Sequence, residues 1–199
     1  MPSIWCALRT FDAHAKEMGG SPLETPRFFL KPWAALTQPV LGGEVKILSH
    51  FEEIHHEIEL VIELNANMEI SQIGIGLDLT DRKTQSVAKS EGMPWAQAKG
   101  FAKSAIVGKL STPPTNLNQL HFELFVNDNM RQSASIAEMS FTPVELISEL
   151  SKWAPLETGD LLFCGTPSGV GPMVRGDRVQ AYLLNEDEIC ISELDFILI

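Results

Sequence analysis

Basic residues are scarce in this chain, and so are cysteine and long apolar runs. Lys and Arg number 15 against 26 Asp and Glu, which leaves a formal charge of −11 over 199 residues. No basic run occurs, and binding to nucleic acid relies on Lys and Arg to neutralise phosphates. The same shortage argues against an anionic membrane surface. No stretch approaches the roughly 18 consecutive apolar residues of a membrane span. The opening segment, Met1 to Cys6, lacks the basic region and long apolar stretch of a signal peptide. The expectation is a cytoplasmic protein without nucleic-acid or membrane partners. Cys6, Cys164 and Cys190 are odd in number and widely spaced, with no CxxC, so neither a disulfide framework nor a zinc knuckle is suggested. Reduced, mostly buried thiols in a reducing compartment fit better. Internal repeats, a low-complexity linker, a Walker A loop, a dinucleotide fingerprint and a GxSxG elbow are also missing. An acidic chain that handles a small anion needs local positive charge, and a metal ion held by carboxylates would supply it.

What remains is an ordinary globular composition, 44% hydrophobic and 21% charged. A short strand is expected from Ile4 to Leu8 and a helical turn near Asp12 to Met18. A loop follows through Gly19-Gly20-Ser21-Pro22 and Pro26. The segment FEEIHHEIELVIEL, 51–64, fits both a helical stripe and strand alternation, and its β-branched content favours the strand. A strand over Ile73 to Leu79 leads to Thr80 as the N-cap of a helix that ends near Gly92, with Pro94 just beyond. His121 to Val126 alternates into a hairpin turn at Asn127-Asp128-Asn129. Thr142-Pro143-Val144-Glu145 is a capping box with proline at the first helical position. Val144, Ile147, Leu150 and Ala154 should form its apolar stripe, and Pro155 should stop it. Leu161 to Cys164, Val179 to Leu184 and Ile189 to Ile199 read as strands. Many strands and few helices indicate a β-rich α+β domain, one unit over 1–199.

Five groups of residues could carry chemistry. On a strand Glu57 and Glu59 share a face, and two carboxylates in one space call for a cation between them; a solvated outer face is the alternative. Asp78 ends a strand before a helix, a position that suits either a ligand-facing group or simple helix-start chemistry. Lys99, in Pro94-Trp95-Ala96-Gln97-Ala98-Lys99-Gly100-Phe101, is either a half-buried fixed ammonium or an exposed lysine whose stem covers Trp95 or Phe101. His14 and Glu17, spaced i, i+3, could be an acid–base pair or a surface pair. The loop Gly165-Thr166-Pro167-Ser168-Gly169-Val170-Gly171 exposes backbone N–H groups suited to an anion, or is simply a turn.

Taken together, the order and spacing of these segments resemble the fumarylacetoacetate hydrolase family. The resemblance rests on Phe29-Leu30-Lys31-Pro32, His56-Glu57-Ile58-Glu59-Leu60 and Asp78-Leu79-Thr80-Asp81-Arg82-Lys83-Thr84-Gln85. It continues through Gly92-Met93-Pro94-Trp95 to Lys99, Val126-Asn127 to Arg131-Gln132, and Gly159-Asp160 to Gly171. It is closest to small single-domain members that act as acylpyruvate hydrolases, oxaloacetate decarboxylases or related isomerases. The resemblance implies strands rolled into a distorted barrel with a few flanking helices, in a homodimer. It also implies Mg²⁺ or Mn²⁺ on Glu57, Glu59 and Asp78. Arg82, Gln85 and Lys99 would line the substrate pocket, with Thr166 in its loop. His14 and Glu17 would act from a lid over residues 9–20, and a small 2-oxo or diketo acid would be the substrate. The implied reaction is hydrolysis of a C–C bond. Oxaloacetate decarboxylation, a 2-hydroxyhepta-2,4-dienedioate-type isomerisation, and a weakened relative that binds metal and a dicarboxylate are the alternatives. The chain departs from the family pattern where Leu8-Arg9-Thr10-Phe11 replaces Gly-x-Asn-Tyr. It departs again where Thr80-Asp81-Arg82-Lys83 replaces Thr-Ala-Arg-Asp, and at Ile136, commonly Thr.

Overall fold

The computed structural model describes residues 1–12, 23–47 and 53–199. Their strands form three sheets. The largest has seven strands in the order β2 (Arg27–Lys31), β1 (Ile4–Leu8), β12 (Leu161–Phe163), β6 (Ile58–Leu64), β7 (Ile70–Asp78), β9 (Ala105–Val107) and β3 (Leu36–Thr37). A five-stranded sheet runs β11 (Asn129–Ser135), β10 (His121–Val126), β14 (Arg178–Leu184), β15 (Cys190–Leu198) and β4 (Gly43–Val45). A small third sheet joins β13 (Gly171–Met173), β5 (Ile54–His56) and β8 (Thr80–Asp81). Helices α1 (Arg82–Glu91), α2 (Ala96–Lys99) and α3 (Pro143–Leu150) flank them. The sheet curls into a half-barrel, so the expected β-rich α+β architecture is the one observed. No helix among the described residues is long and apolar enough to cross a membrane.

The main core lies between the two large sheets. Ile58, Leu60, Ile62 and Leu64 of β6 meet Ile73, Ile75 and Leu77 of β7, with Phe122, Leu124, Ala181 and Phe196 from the other sheet. A second cluster, Ile4, Cys6, Val61, Ala105, Val107, Leu161 and Phe163, covers the opposite face of the seven-stranded sheet. Strand β6 is therefore covered on both faces, which explains its double periodicity: Ile58, Leu60, Ile62 and Leu64 face the main core, while Val61, between Glu59 and Glu63, faces the second cluster. Cys6 and Cys164 are buried free thiols, while Cys190 is free and exposed.

Two helix details differ from the sequence expectation. Helix α1 is capped by Asp81, not Thr80: Asp81 Oδ1 accepts from Thr84 N at 3.1 Å, while Thr80 is drawn into β8. Its C-terminus is as expected, with Gly92 in the left-handed region at φ 66°. Helix α3 has the expected capping box, but it buries Pro143, Leu146, Ile147 and Leu150 and leaves Val144 exposed. Those four sit at i, i+3, i+4 and i+7, the spacing of one helical face. The helix ends at Leu150, before Pro155 is reached. The cap at Asp81 makes a direct prediction. Asp81→Ala should cost about 1 kcal/mol of stability, read as a lower urea midpoint with unchanged slope, because it frees the first-turn N–H groups of the helix that carries Arg82 and Gln85.

Candidate active site

Pairing between β6 and β7 builds the centre. The register sets Ile58 opposite Leu77, and Asp78 N donates to Glu57 O at 2.9 Å. Glu59, two residues further on, points to the same side as Glu57. One carboxylate oxygen from each of Glu57, Glu59 and Asp78 lies within 4.8 Å of the others, and all three residues are buried. Lys99, the last residue of α2, closes the group. Its Nζ donates to Glu57 Oε2 at 2.7 Å and to Asp78 Oδ2 at 2.5 Å, over the Phe29 ring. It is 2% exposed, which removes the surface-lysine alternative. From the first turn of α1, Arg82 Nη2 donates to Glu57 Oε1 at 2.6 Å and Nη1 to Gln85 Oε1 at 2.7 Å.

The electrostatics are uneven. Burial would raise the Glu57 carboxyl, but Lys99 and Arg82 override it and hold Glu57 down at about 2. Burial would lower Lys99, but Asp78 and Glu57 outweigh it and push the ammonium up. Glu59 has no such help. Burial and the neighbouring Asp78 and Glu57 carboxylates drive it well above the usual carboxylate range, with Lys99 and the Gly165 N–H opposing. It accepts a hydrogen bond from Gly165 N at 2.6 Å, and no ion pair to Glu59 occurs among the described residues. A buried carboxylate without a cation, beside two more carboxylate oxygens, fits a hard divalent ion.

A cavity of about 280 Å³ opens onto this centre. Glu57, Glu59, Asp78, Arg82, Gln85, Lys99 and Thr166 all line it, so these seven expected site residues are brought together. His14, Glu17 and most of the 9–20 lid fall outside the described residues. The wall is completed by residues to which the sequence reading gave no pocket role, including Arg27, Phe29, Lys89 and Trp95, and by Arg9 at the start of the expected lid. Two buried residues behind the wall were also missed. Gln132 takes His56 Nδ1 (2.9 Å) and Ile58 N (3.1 Å) on its Oε1, and its Nε2 donates to Thr166 Oγ1 (2.8 Å) and Pro167 O (3.0 Å). It thus ties the segment around Glu57 to the Thr166 loop. It points inward with Ala134 along β11, and no local signal in the sequence marks it. Lys31 is the other.

The departures from the family pattern are absorbed by the fold. Leu8 lies in β1 and needs no glycine-like conformation; the left-handed residue is Arg9, at φ 52°. Thr10 Oγ1 donates to Cys164 O at 2.6 Å, and Phe11 packs edge-on against Phe122. Ile136 is buried in the main core, and Lys83 is exposed.

A curled β-sheet protein whose buried carboxylate triad can hold a metal ion, with a lysine set against it in a cavity, defines a class of metal-dependent enzyme. The family model for the fumarylacetoacetate (FAA) hydrolase C-terminal domain matches residues 3–194. The chain belongs to the fumarylacetoacetate hydrolase family. It is 35% identical over 188 residues to the mitochondrial oxaloacetate tautomerase FAHD1 of Oryza sativa subsp. japonica, covering 87% of this chain and 81% of that protein. It is 34% identical over 192 residues to the oxaloacetate tautomerase YcgM of Escherichia coli, covering 88% and 85%. Fumarylpyruvate hydrolase from Pseudomonas aeruginosa, solved with Mn²⁺ and pyruvate, superposes with a TM-score of 0.88 at 30% identity, covering 100% of this chain and 91% of that one.

Proposed function

We propose that this chain is a divalent-metal-dependent hydrolase that cleaves a C–C bond in a small acylpyruvate or 1,3-diketo acid. The observation that carries the proposal is the buried Lys99 ammonium placed against the Glu57, Glu59 and Asp78 carboxylates at the base of one cavity. Those three carboxylates would hold Mg²⁺ or Mn²⁺, which when bound acts as a Lewis acid toward a 2-oxo acid. Lys99 donates to the oxygen on which enolate charge develops. Arg82 and Gln85 orient the substrate carboxylate, and Thr166 shapes the wall. His14, oriented by Glu17 on a lid over 9–20, takes a proton from the water that adds to the distal carbonyl. Cleavage of the C–C bond leaves its electron pair on the pyruvate enolate, which is then protonated to pyruvate, and the acyl part leaves as an acid. The proposal includes a single catalytic domain over 1–199, a homodimer and a reducing compartment, the cytoplasm.

A second reading is favoured by the names of the rice and Escherichia coli relatives. Oxaloacetate tautomerisation, or decarboxylation, needs the same enolate stabilisation and no attacking water. The test is a metal-supplemented assay of purified protein over acetylpyruvate, fumarylpyruvate and oxaloacetate, with products identified. Pyruvate plus a carboxylic acid is the expected result. Enol–keto interconversion of oxaloacetate without carbon dioxide release identifies the tautomerase instead, and carbon dioxide release the decarboxylase. Binding without turnover of any of the three would overturn both readings.

A further inference from the structure

Lys31 ends β2, and its side chain is 0% exposed. It does not line the cavity, yet it touches the residues that build it. Its Nζ donates to Leu79 O at 3.1 Å, Lys99 O at 2.5 Å and Ser104 O at 2.9 Å. An ammonium has three protons, and these three carbonyls take them all. Asp78 Oδ1 lies 2.7 Å from the same nitrogen as an ion-pair partner and receives no hydrogen bond. One carboxylate oxygen and three carbonyls make a hard-cation donor set; here the cation is tethered to the chain. The oxygens come from the β7–β8 junction, the end of α2 and the residue before β9, three segments that Lys31 joins through one nitrogen. Two of them belong to Asp78 and Lys99, and Ser104 Oγ adds a second donor to Lys99 O at 2.6 Å. A buried ion pair is by itself poor evidence for a stability role, since apolar residues often serve as well.

We propose that Lys31 is a positioning residue, a tethered cation filling a four-oxygen cage that fixes Asp78 and Lys99 relative to one another. Its effect on turnover rests on the function proposed above; its effect on the cage does not. Two variants test it. Metal-free Lys31→Ala empties the cage, so ammonium chloride should raise its melting temperature by several degrees over tetramethylammonium chloride at equal ionic strength, whereas the wild type should respond alike to both. A variant that folds only with ammonium also supports the proposal; equal response to the two salts overturns it. Lys31→Met keeps the chain length without the charge. Loaded with Mn²⁺, it should give an altered electron paramagnetic resonance spectrum. On the substrate found by the assay above, kcat should fall about 100-fold with KM within about threefold, the size of effect that an ångström of misplacement produces. A merely structural lysine would lower the melting temperature and leave the Mn²⁺ spectrum and kcat untouched, which overturns the proposal. If the wild type turns over none of the substrates, the functional reading fails, and the ammonium response and Mn²⁺ spectrum still decide the role of Lys31.

Discussion

Lys99→Met is expected to lower kcat by about 10³-fold at saturating metal, the loss typical of removing one preorganised donor from a developing oxyanion. Lys99 is the cation within the carboxylate centre that faces the cavity from a helix terminus, and burial prevents water from replacing it. KM should move far less than kcat, because Arg82 and Gln85 remain on α1. The same substitution carries a second signature. Lys99 is shared by Glu57 Oε2 and Asp78 Oδ2, at 2.7 and 2.5 Å. Its loss leaves both carboxylates short of a partner, and breaking a buried pair by removing one side costs about 3–5 kcal/mol. A divalent ion can restore that compensation. The melting temperature of the variant should therefore drop most in metal-free buffer and respond to Mg²⁺ or Mn²⁺ more strongly than that of the wild type. A variant within tenfold of wild-type kcat would remove Lys99 from the chemistry.

Local signals were legible where local physics decides. The Thr142–Glu145 box, the Gly92 terminus and the β10–β11 hairpin all depend on a few adjacent residues. The hairpin turn has Asn127 and Asp128 at φ 51° and 61°, the conformation such turn residues tolerate. The Glu57–Glu59 pair was legible on the condition that the segment is a strand. Its meeting with Asp78 depends on the β6–β7 register, which periodicity does not specify. Thr80 and Asp81 both suit an N-cap; pairing of β8 with β5 consumes Thr80 and leaves the cap to Asp81. Val144 was misassigned because the stripe was stepped back from Ile147 by three; Pro143, four residues before Ile147, and Leu146, four before Leu150, take the inward positions.

Lys31 and Gln132 were not legible as site-builders because their burial is set by distant chain. Lys31 follows an apolar strand, where a lysine usually marks the return to solvent. The carbonyls that enclose it lie 48, 68 and 73 residues away. Gln132 is satisfied by groups 76, 74, 34 and 35 residues away. Polar residues of this kind are recognised only when the fold supplies every partner at once, since an unmatched one would cost about 1–3 kcal/mol.

Gly165→Ala is the second large effect expected, and it joins a departure from the family pattern to the buried carboxylate triad. Gly165 has φ 96°, a conformation open to glycine and strained for alanine. An added Cβ would stand 2.0 Å from Thr10 Oγ1 and 3.2 Å from Thr10 Cβ. Thr10 is 0% exposed and cannot turn aside without breaking its 2.6 Å bond to Cys164 O. The strain and the overlap together should cost about 2–5 kcal/mol, adding roughly 1–2 for the left-handed residue to roughly 1–3 for overpacking. Urea denaturation would show this as a lower midpoint. Thr10→Ala in the same chain removes the clashing oxygen and leaves the backbone strain. The double variant should therefore recover about 1–2 kcal/mol relative to the sum of the singles, a coupling of the size neighbours show. The backbone shift should also displace Gly165 N from Glu59 Oε2, now 2.6 Å apart. Thermal response to Mn²⁺ should then weaken in Gly165→Ala and recover in part in the double variant. Simple additivity of the two substitutions would mean that the Thr10 hydroxyl is not what confines position 165.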